Sequence, residues 1–230
     1  MPITKNAGSE MSTTVFMKLL ESAPNRYDRG MNLLTWGNHL KIIQEIVSQF
    51  ILENDRVLDI GVGTASLAIL CAKKGAQVTG FDISQKMLKV AWQKVEEENL
   101  TDRIELQEMS VVEMDTHIPD QSYNKVMATL VFSELTEDEQ RFTLNQCHRV
   151  LNTGGLLIIG DEVKPATRLK KLAHYLLRIP LTLITYLVAQ VTTRPLRNIE
   201  HKLAETQFKI KSVSKYFLDS LALIVASKEA

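Results

Sequence analysis

The sequence predicts an α/β fold, a mostly parallel sheet with helices on both faces. Three observations predict it. Short apolar runs alternate with amphipathic stretches from Arg56 to Ile159, as in right-handed βαβ units whose strands are covered on both sides. The first run enters a glycine-rich turn, Gly61-Val62-Gly63, that opens the next helix. The last two apolar runs, Lys209–Phe217 and Leu221–Ala226, are separated by a very short turn at Asp219-Ser220. So short a link forces an antiparallel pair, which puts one reversed strand near an edge.

Each element has its own signal. Val15–Ser22 has helical spacing, Ala23-Pro24-Asn25 interrupts it, and a helix follows from Asn38 to Phe50. Arg56–Ile60 reads as a buried strand, and Ala65–Lys74 as a helix ended by Gly75. Gln77–Phe81 is a strand, and Ser84 is the N-cap of a helix to about Asn99. Ile104–Glu108 and Tyr123–Leu130 are strands, the second preceded by the turn Pro119-Asp120-Gln121-Ser122. Thr136 and Glu139 form a capping box for a helix to Leu151. Asn152-Thr153-Gly154-Gly155 ends that helix, and Leu156–Ile159 is the next strand. Lys164–Gln207 reads as a long apolar helix, broken near Pro180, and a shorter helix from Pro195. The chain thus divides into an N-terminal tail and lid helices (1–37), a cofactor-binding core (38–163), an apolar helical lid (164–207) and a terminal hairpin (208–230).

The composition excludes several classes. With 230 residues there is room for one large domain, or one domain and a cap. A chain 45% hydrophobic and 23% charged is neither disordered nor fibrous. A net charge of zero lacks the surplus of cations that a general nucleic-acid binder needs. Charge is nevertheless uneven, since residues 163–230 hold 12 Lys/Arg against 4 Asp/Glu. A basic C-terminal third can be a solvated face or can meet an anionic membrane surface. Cys71 and Cys147 are too few for a disulfide framework and no spacing suggests a metal site. The polar start has no apolar segment of signal-peptide type, and the most apolar stretch, Ile179–Val191, is too short to span a bilayer. These features predict a cytoplasmic protein with scope for peripheral membrane contact.

The chemistry centres on VLDIGVGTA, residues 57–65. Glycines let the backbone turn tightly and let a ligand approach the main chain. The next strand ends in Asp82, where a carboxylate can accept both hydroxyls of a ribose. Two features oppose a dinucleotide. Ser66 stands where the third glycine of G-x-G-x-x-G belongs, and Asp59 would face a pyrophosphate, anion against anion. An acid at that point suits a cationic ligand.

The segment resembles motif I of the class I S-adenosylmethionine-dependent methyltransferases, with Ala65 in place of the last glycine. The resemblance implies a Rossmann-like, seven-stranded sheet whose last strand is antiparallel. Tyr27-Asp28, Thr35-Trp36-Gly37, His39 and the segment HRVLNTGG (148–155) leading into Asp161 are similar to the C-methyltransferases of ubiquinone and menaquinone biosynthesis. Residues 21–35 also resemble the methyltransferases associated with corrinoid proteins. By resemblance, S-adenosylmethionine would contact Asp59, Gly61, Gly63 and Thr64 through its methionine part. Asp82 and Ile83 would hold the ribose side, Ser110 and Val111 the adenine, and Thr129 would lie below the sulfonium. Tyr27 would close over the cofactor, and Tyr27, His39 and Asp161 are the candidates for catalysis.

Ser110 departs from the acid or Asn of many relatives, and Asn124 from a usual strand-opening Asp. The segment after the fourth strand, TLVF (129–132), lacks the motif of enzymes that methylate exocyclic amines and lacks a cysteine. The apolar lid suits an apolar acceptor such as a quinol. A corrinoid-linked acceptor, and a member that binds cofactor without catalysis, are the alternatives.

Overall fold

A computed structural model describes residues 27–164 and 195–229. The order along the chain is α1 (Tyr27–Leu34), α2 (Asn38–Phe50), β1 (Arg56–Ile60), α3 (Ser66–Lys73), β2 (Gln77–Asp82), α4 (Gln85–Glu97) and β3 (Ile104–Glu108). A single 3₁₀ turn (Val111–Glu113) and α5 (Met114–His117) lead to β4 (Tyr123–Thr129). Then come α6 (Glu137–Val150), β5 (Leu151–Glu162), α7 (Ile199–Glu205), β6 (Phe208–Tyr216) and β7 (Leu221–Lys228).

Seven strands form one sheet in the order β3-β2-β1-β4-β5-β7-β6. All neighbours are parallel except β7, which runs against both β5 and β6. The expected reversed strand is therefore β7, one place in from the edge. Strand order reverses direction between β1 and β4, and in such sheets ligands bind beyond the carboxyl ends of the strands at that point.

Side chains of β1 alternate between two cores, as the pleat requires. Val57 joins Ile42, Ile46, Leu67, Ala68, Leu88 and Val95 beneath α2, α3 and α4. Leu58 and Ile60 join Met114, Leu144, Cys147, Val150, Ile199 and Leu203 beneath α5, α6 and α7. Both cysteines are buried and free. The caps are as the sequence predicts: Ser84 accepts from the Met87 N–H, and Thr136 with Glu139 closes a capping box.

Four stretches differ from the sequence reading. Tyr27–Leu34 is a helix, with Asp28 in its first turn to complement the helix dipole. The 3₁₀ turn and α5 also went unrecognised, although Ser110-x-x-Glu113 is a capping-box sequence. Asn152–Gly155 does not separate helix from strand but is a bulge inside β5. Pairing to β4 passes from Tyr123↔Leu151 directly to Lys125↔Leu156. Ile199–Glu205, assigned to the lid, packs in the core through Ile199 and Leu203. Lys202 is only 3% exposed and donates to Gln140 Oε1 at 2.7 Å. The Val15–Ser22 helix and the long apolar helix of the lid lie outside the described residues. Among the described residues no helix is long and apolar enough to cross a membrane.

The bulge tests how much that backbone detour demands of its glycines. Gly155 has no space for a side chain, since a Cβ would sit 2.9 Å from the Asn152 carbonyl oxygen and 3.0 Å from that of Asn124. Gly154 has open space but a left-handed φ of 77°. Gly155→Ala is expected to cost about 2 kcal/mol by overpacking against backbone, and Gly154→Ala about 1 kcal/mol by φ alone. Thermal unfolding checks the order: a drop of about 4–8 °C for the first and about half that for the second.

Candidate cofactor-binding site

The loop from β1 to α3 lies at the point where strand order reverses. Gly61 and Gly63 both have left-handed φ, 65° and 55°. At Gly61 a Cβ would lie 2.4 Å from Val131 Cγ2, so the loop can pass the end of β4 only without a side chain there. Ala65 adopts φ 60°, a left-handed conformation that suits the glycine usual in the family motif better than alanine.

Asp82 fastens this loop to the end of β2. Its Oδ2 accepts the Gly63 N–H at 2.9 Å, and its Oδ1 accepts the Ser84 N–H at 2.9 Å. The Ile83 N–H is a third backbone donor to this carboxylate, and with about four acceptor positions it retains capacity for a ligand hydroxyl. Burial raises the pKa of Asp82, while these backbone donors pull the other way. Asp59, on the adjacent strand, is 2% exposed. Burial first, and the charge of Asp82 second, push its pKa up to about 8.

The N-terminal helix α1 covers this loop. Thr64 Oγ1 donates to Asp28 Oδ1 at 2.7 Å. Tyr27, also on α1, feels Glu134, Asp82 and Asp28, which together with burial hold its phenol well above the usual range. The predicted residues Tyr27, Asp59, Gly61, Gly63, Thr64 and Asp82 therefore come together. His39, in the first turn of α2, is half-buried. Burial lowers its pKa, and Asp28 offsets this in part. Trp36 (64% exposed) and Leu40 flank it as exposed apolar side chains.

The remaining predicted residues ring this centre. Ile83 follows Asp82 and is 71% exposed at the tip of β2. Ser110 and Val111 follow the end of β3, where the Met109 N–H donates to the Asp82 carbonyl at 3.1 Å. Ser110 is engaged as an N-cap with Glu113. Thr129 ends β4 opposite Gly160. Asp161 differs from the others in being 1% exposed. Its Oδ2 accepts the Ser133 N–H at 3.1 Å and its Oδ1 the Glu162 N–H at 2.7 Å. Burial nevertheless raises its pKa to about 6. Lys94 and Ser66, which the sequence did not single out as site residues, also reach the loop. Among the described residues no cluster of His, Cys, Asp and Glu could hold a metal ion.

Residues 57–155 match a family model described as a methyltransferase domain. Over that stretch the chain is similar to methyltransferase domains. Over 147 residues the chain is 31% identical to a demethylmenaquinone methyltransferase of Lactiplantibacillus plantarum, covering 62% of this chain and 60% of that one. The chain thus spans about three fifths of the length of such curated relatives. The fold matches a SAM-dependent methyltransferase from Aquifex aeolicus with a TM-score of 0.65, 18% identity, and coverage of 90% and 98% of the two chains. It matches the cyclase SpnF equally well, with a TM-score of 0.65, 17% identity and coverage of 85% and 83%. A fold shared with a cyclase leaves the reaction to be argued from the site.

The residues present fit S-adenosylmethionine, on which the Aquifex aeolicus neighbour is named as dependent. Asp28, Asp82 and Glu134 place negative charge around Tyr27, and Asp59 lies beside Asp82, which suits a ligand with an ammonium and a sulfonium. Asp82 retains acceptor capacity for ribose hydroxyls, and Ile83 offers an exposed apolar surface beside it.

Asp59 sets a pH dependence. Its pKa is raised on folding, so its contribution to stability is complete below the unfolded value near 4 and is lost as pH rises toward about 8. Asp82 and Asp161 carry the same sign. Melting temperature is expected to fall between pH 5 and pH 8, and to fall less steeply in Asp59→Asn. An Asp59→Asn profile parallel to the wild type would show that Asp59 does not resist ionisation.

Proposed function

We propose that this protein transfers the methyl group of S-adenosylmethionine to a carbon of a small apolar acceptor, with a quinol-like ring as the leading class. The observation that carries the cofactor reading is the Asp82 carboxylate. It grips the glycine loop at Gly63 and keeps acceptor capacity for a ribose hydroxyl. The acceptor reading is supported by the names of the curated relatives and by the exposed Trp36 and Leu40 around His39.

The cofactor, when bound, supplies an electrophilic methyl on a positively charged sulfur, and the protein's work is placement. Asp59 and Asp82 favour the cationic ligand. Gly61 and Gly63 admit its chain to the backbone, and Thr64 lies beside them. Ile83, Ser110 and Val111 line the adenine end, and Thr129 closes the floor at the end of β4. Tyr27 roofs the site as a neutral phenol, because neighbouring carboxylates and burial hold its proton.

His39 is the better base of the candidates. With its pKa lowered it is neutral at pH 7 and ready to accept a proton. His39 would take the proton of the ring hydroxyl and make the ring carbon nucleophilic toward the cofactor's methyl. The electron pair of the carbon–sulfur bond would stay with sulfur as a neutral thioether. Return of a proton to the oxygen, with loss of the ring carbon's own proton, would restore the aromatic ring. Asp161 serves instead as an anchor. Its two oxygens hold the start of the β4–α6 connection through Ser133 and turn β5 through Glu162. Peripheral contact with an anionic membrane is a proposal that now rests mostly on residues 165–194. In the described C-terminal residues Lys202 is buried, and Lys209 and Lys211 share Glu229.

Saturating S-adenosylhomocysteine, at 100 times its dissociation constant, is expected to add about 2.7 kcal/mol and raise Tm by about 5–10 °C. Asp82→Ala should abolish that shift. A shift with NAD and none with S-adenosylhomocysteine would overturn the cofactor reading.

Labelled methyl should pass to a reduced demethylated quinone and not to its oxidised form. His39→Gln should lower kcat by about 100-fold or more while S-adenosylhomocysteine binding is kept. Label that enters only a purified corrinoid protein would end the quinol reading.

A further inference from the structure

One cation stands at the glycine loop. Lys94, on α4, places Nζ 2.9 Å from Asp28 Oδ2, 2.8 Å from Ser66 Oγ and 3.3 Å from Thr64 Oγ1. It thereby touches α1, the glycine loop and the first residue of α3 at once. The donors and acceptors close consistently. An ammonium only donates and a carboxylate only accepts. The single proton of Thr64 goes to Asp28 Oδ1. The Thr64–Ser66 contact of 3.3 Å then has Ser66 as donor. Ser66 is the residue that replaces the third glycine of a dinucleotide loop, and here its hydroxyl is one of the three anchors of Lys94.

We propose that Lys94 is a positioning residue that latches α1 onto the glycine loop through Asp28 and so holds Tyr27 over the cofactor site. Asp28 and Tyr27 are adjacent on α1, and the charge of Asp82 is felt at Tyr27. Fixing Asp28 therefore fixes the roof over the ribose end of the site. The inference rests on the reading of this loop as the cofactor site.

The energetics favour a local role over a global one. Lys94 and Asp28 side chains are 28% and 46% exposed, and pairs so exposed contribute little to overall stability. The sheet and both cores are built from other residues. The pair ties the first turn of α1, next to Tyr27, to the glycine loop and α4, so a contact that is minor for the whole chain acts on the position of this helix.

Amide hydrogen exchange of the ligand-free protein tests the latch without any assumption about activity. In Lys94→Met, exchange across residues 27–36 should rise at least tenfold, with Tm within about 2 °C of wild type. Asp28→Asn should reproduce this, and Lys94→Arg should largely restore protection. Binding tests the consequence. Lys94→Met should weaken both S-adenosylhomocysteine and 5′-methylthioadenosine about tenfold, since the second lacks the amino-acid part but still sits under Tyr27.

Unchanged exchange in Lys94→Met would overturn the latch. So would an affinity loss confined to S-adenosylhomocysteine, which would make Lys94 a direct contact of the methionine carboxylate. If the wild type binds neither compound, the cofactor reading fails, and exchange alone still decides whether α1 is latched.

Discussion

The carboxylate of Asp82 is the constraint on which the site depends. It accepts one backbone N–H from the glycine loop after β1 and one from the start of α4 after β2. Two βαβ turns are thereby fixed against each other at the point where strand order reverses. Buried backbone donors need partners, and here one acidic side chain satisfies both turns. The same group shapes the electrostatics around it, raising the pKa of Asp59 and contributing to that of Tyr27.

Burial in this region opposes ionisation of its acids, a cost that a cationic ligand would offset. Asp59 and Asp161 lie fully inside the protein with pKa values raised by burial, and the two are used differently. Asp161 directs both oxygens to backbone N–H groups and secures the turns at the ends of β4 and β5. Asp59 sits beside Asp82 under the glycine loop, where a bound cation would favour its ionised form. Lys94 is set further out, where it neutralises Asp28 without entering that cluster.

Much of the core was legible from local pattern. Apolar runs placed β1 to β4 within a residue or so, because buried parallel strands leave few alternatives once helices alternate with them. Ser84 and the pair Thr136–Glu139 were legible because caps act over three or four residues. The bulge at Asn152–Gly155 was not, since the same turn residues end a helix or interrupt a strand. Only the pairing with Lys125 and the crowding at Gly155 distinguish the two. Likewise α1 was missed because its eight residues are stabilised by contacts to α4 and the loop rather than by their own propensity.

The sequence by itself determined the βαβ core, the reversed terminal strand, the glycine loop and the acid 21 residues after Gly61, because these depend on hydrophobic period, turn chemistry and spacing. Tertiary structure decided which of those groups are committed. It tied Asp161 to Ser133, buried Lys202 against Gln140, and brought Lys94 across 66 residues to Asp28. Periodicity records which face of an element is buried. It does not record which polar groups meet across elements, and those meetings separate an anchor, a roof and a latch from residues of identical type.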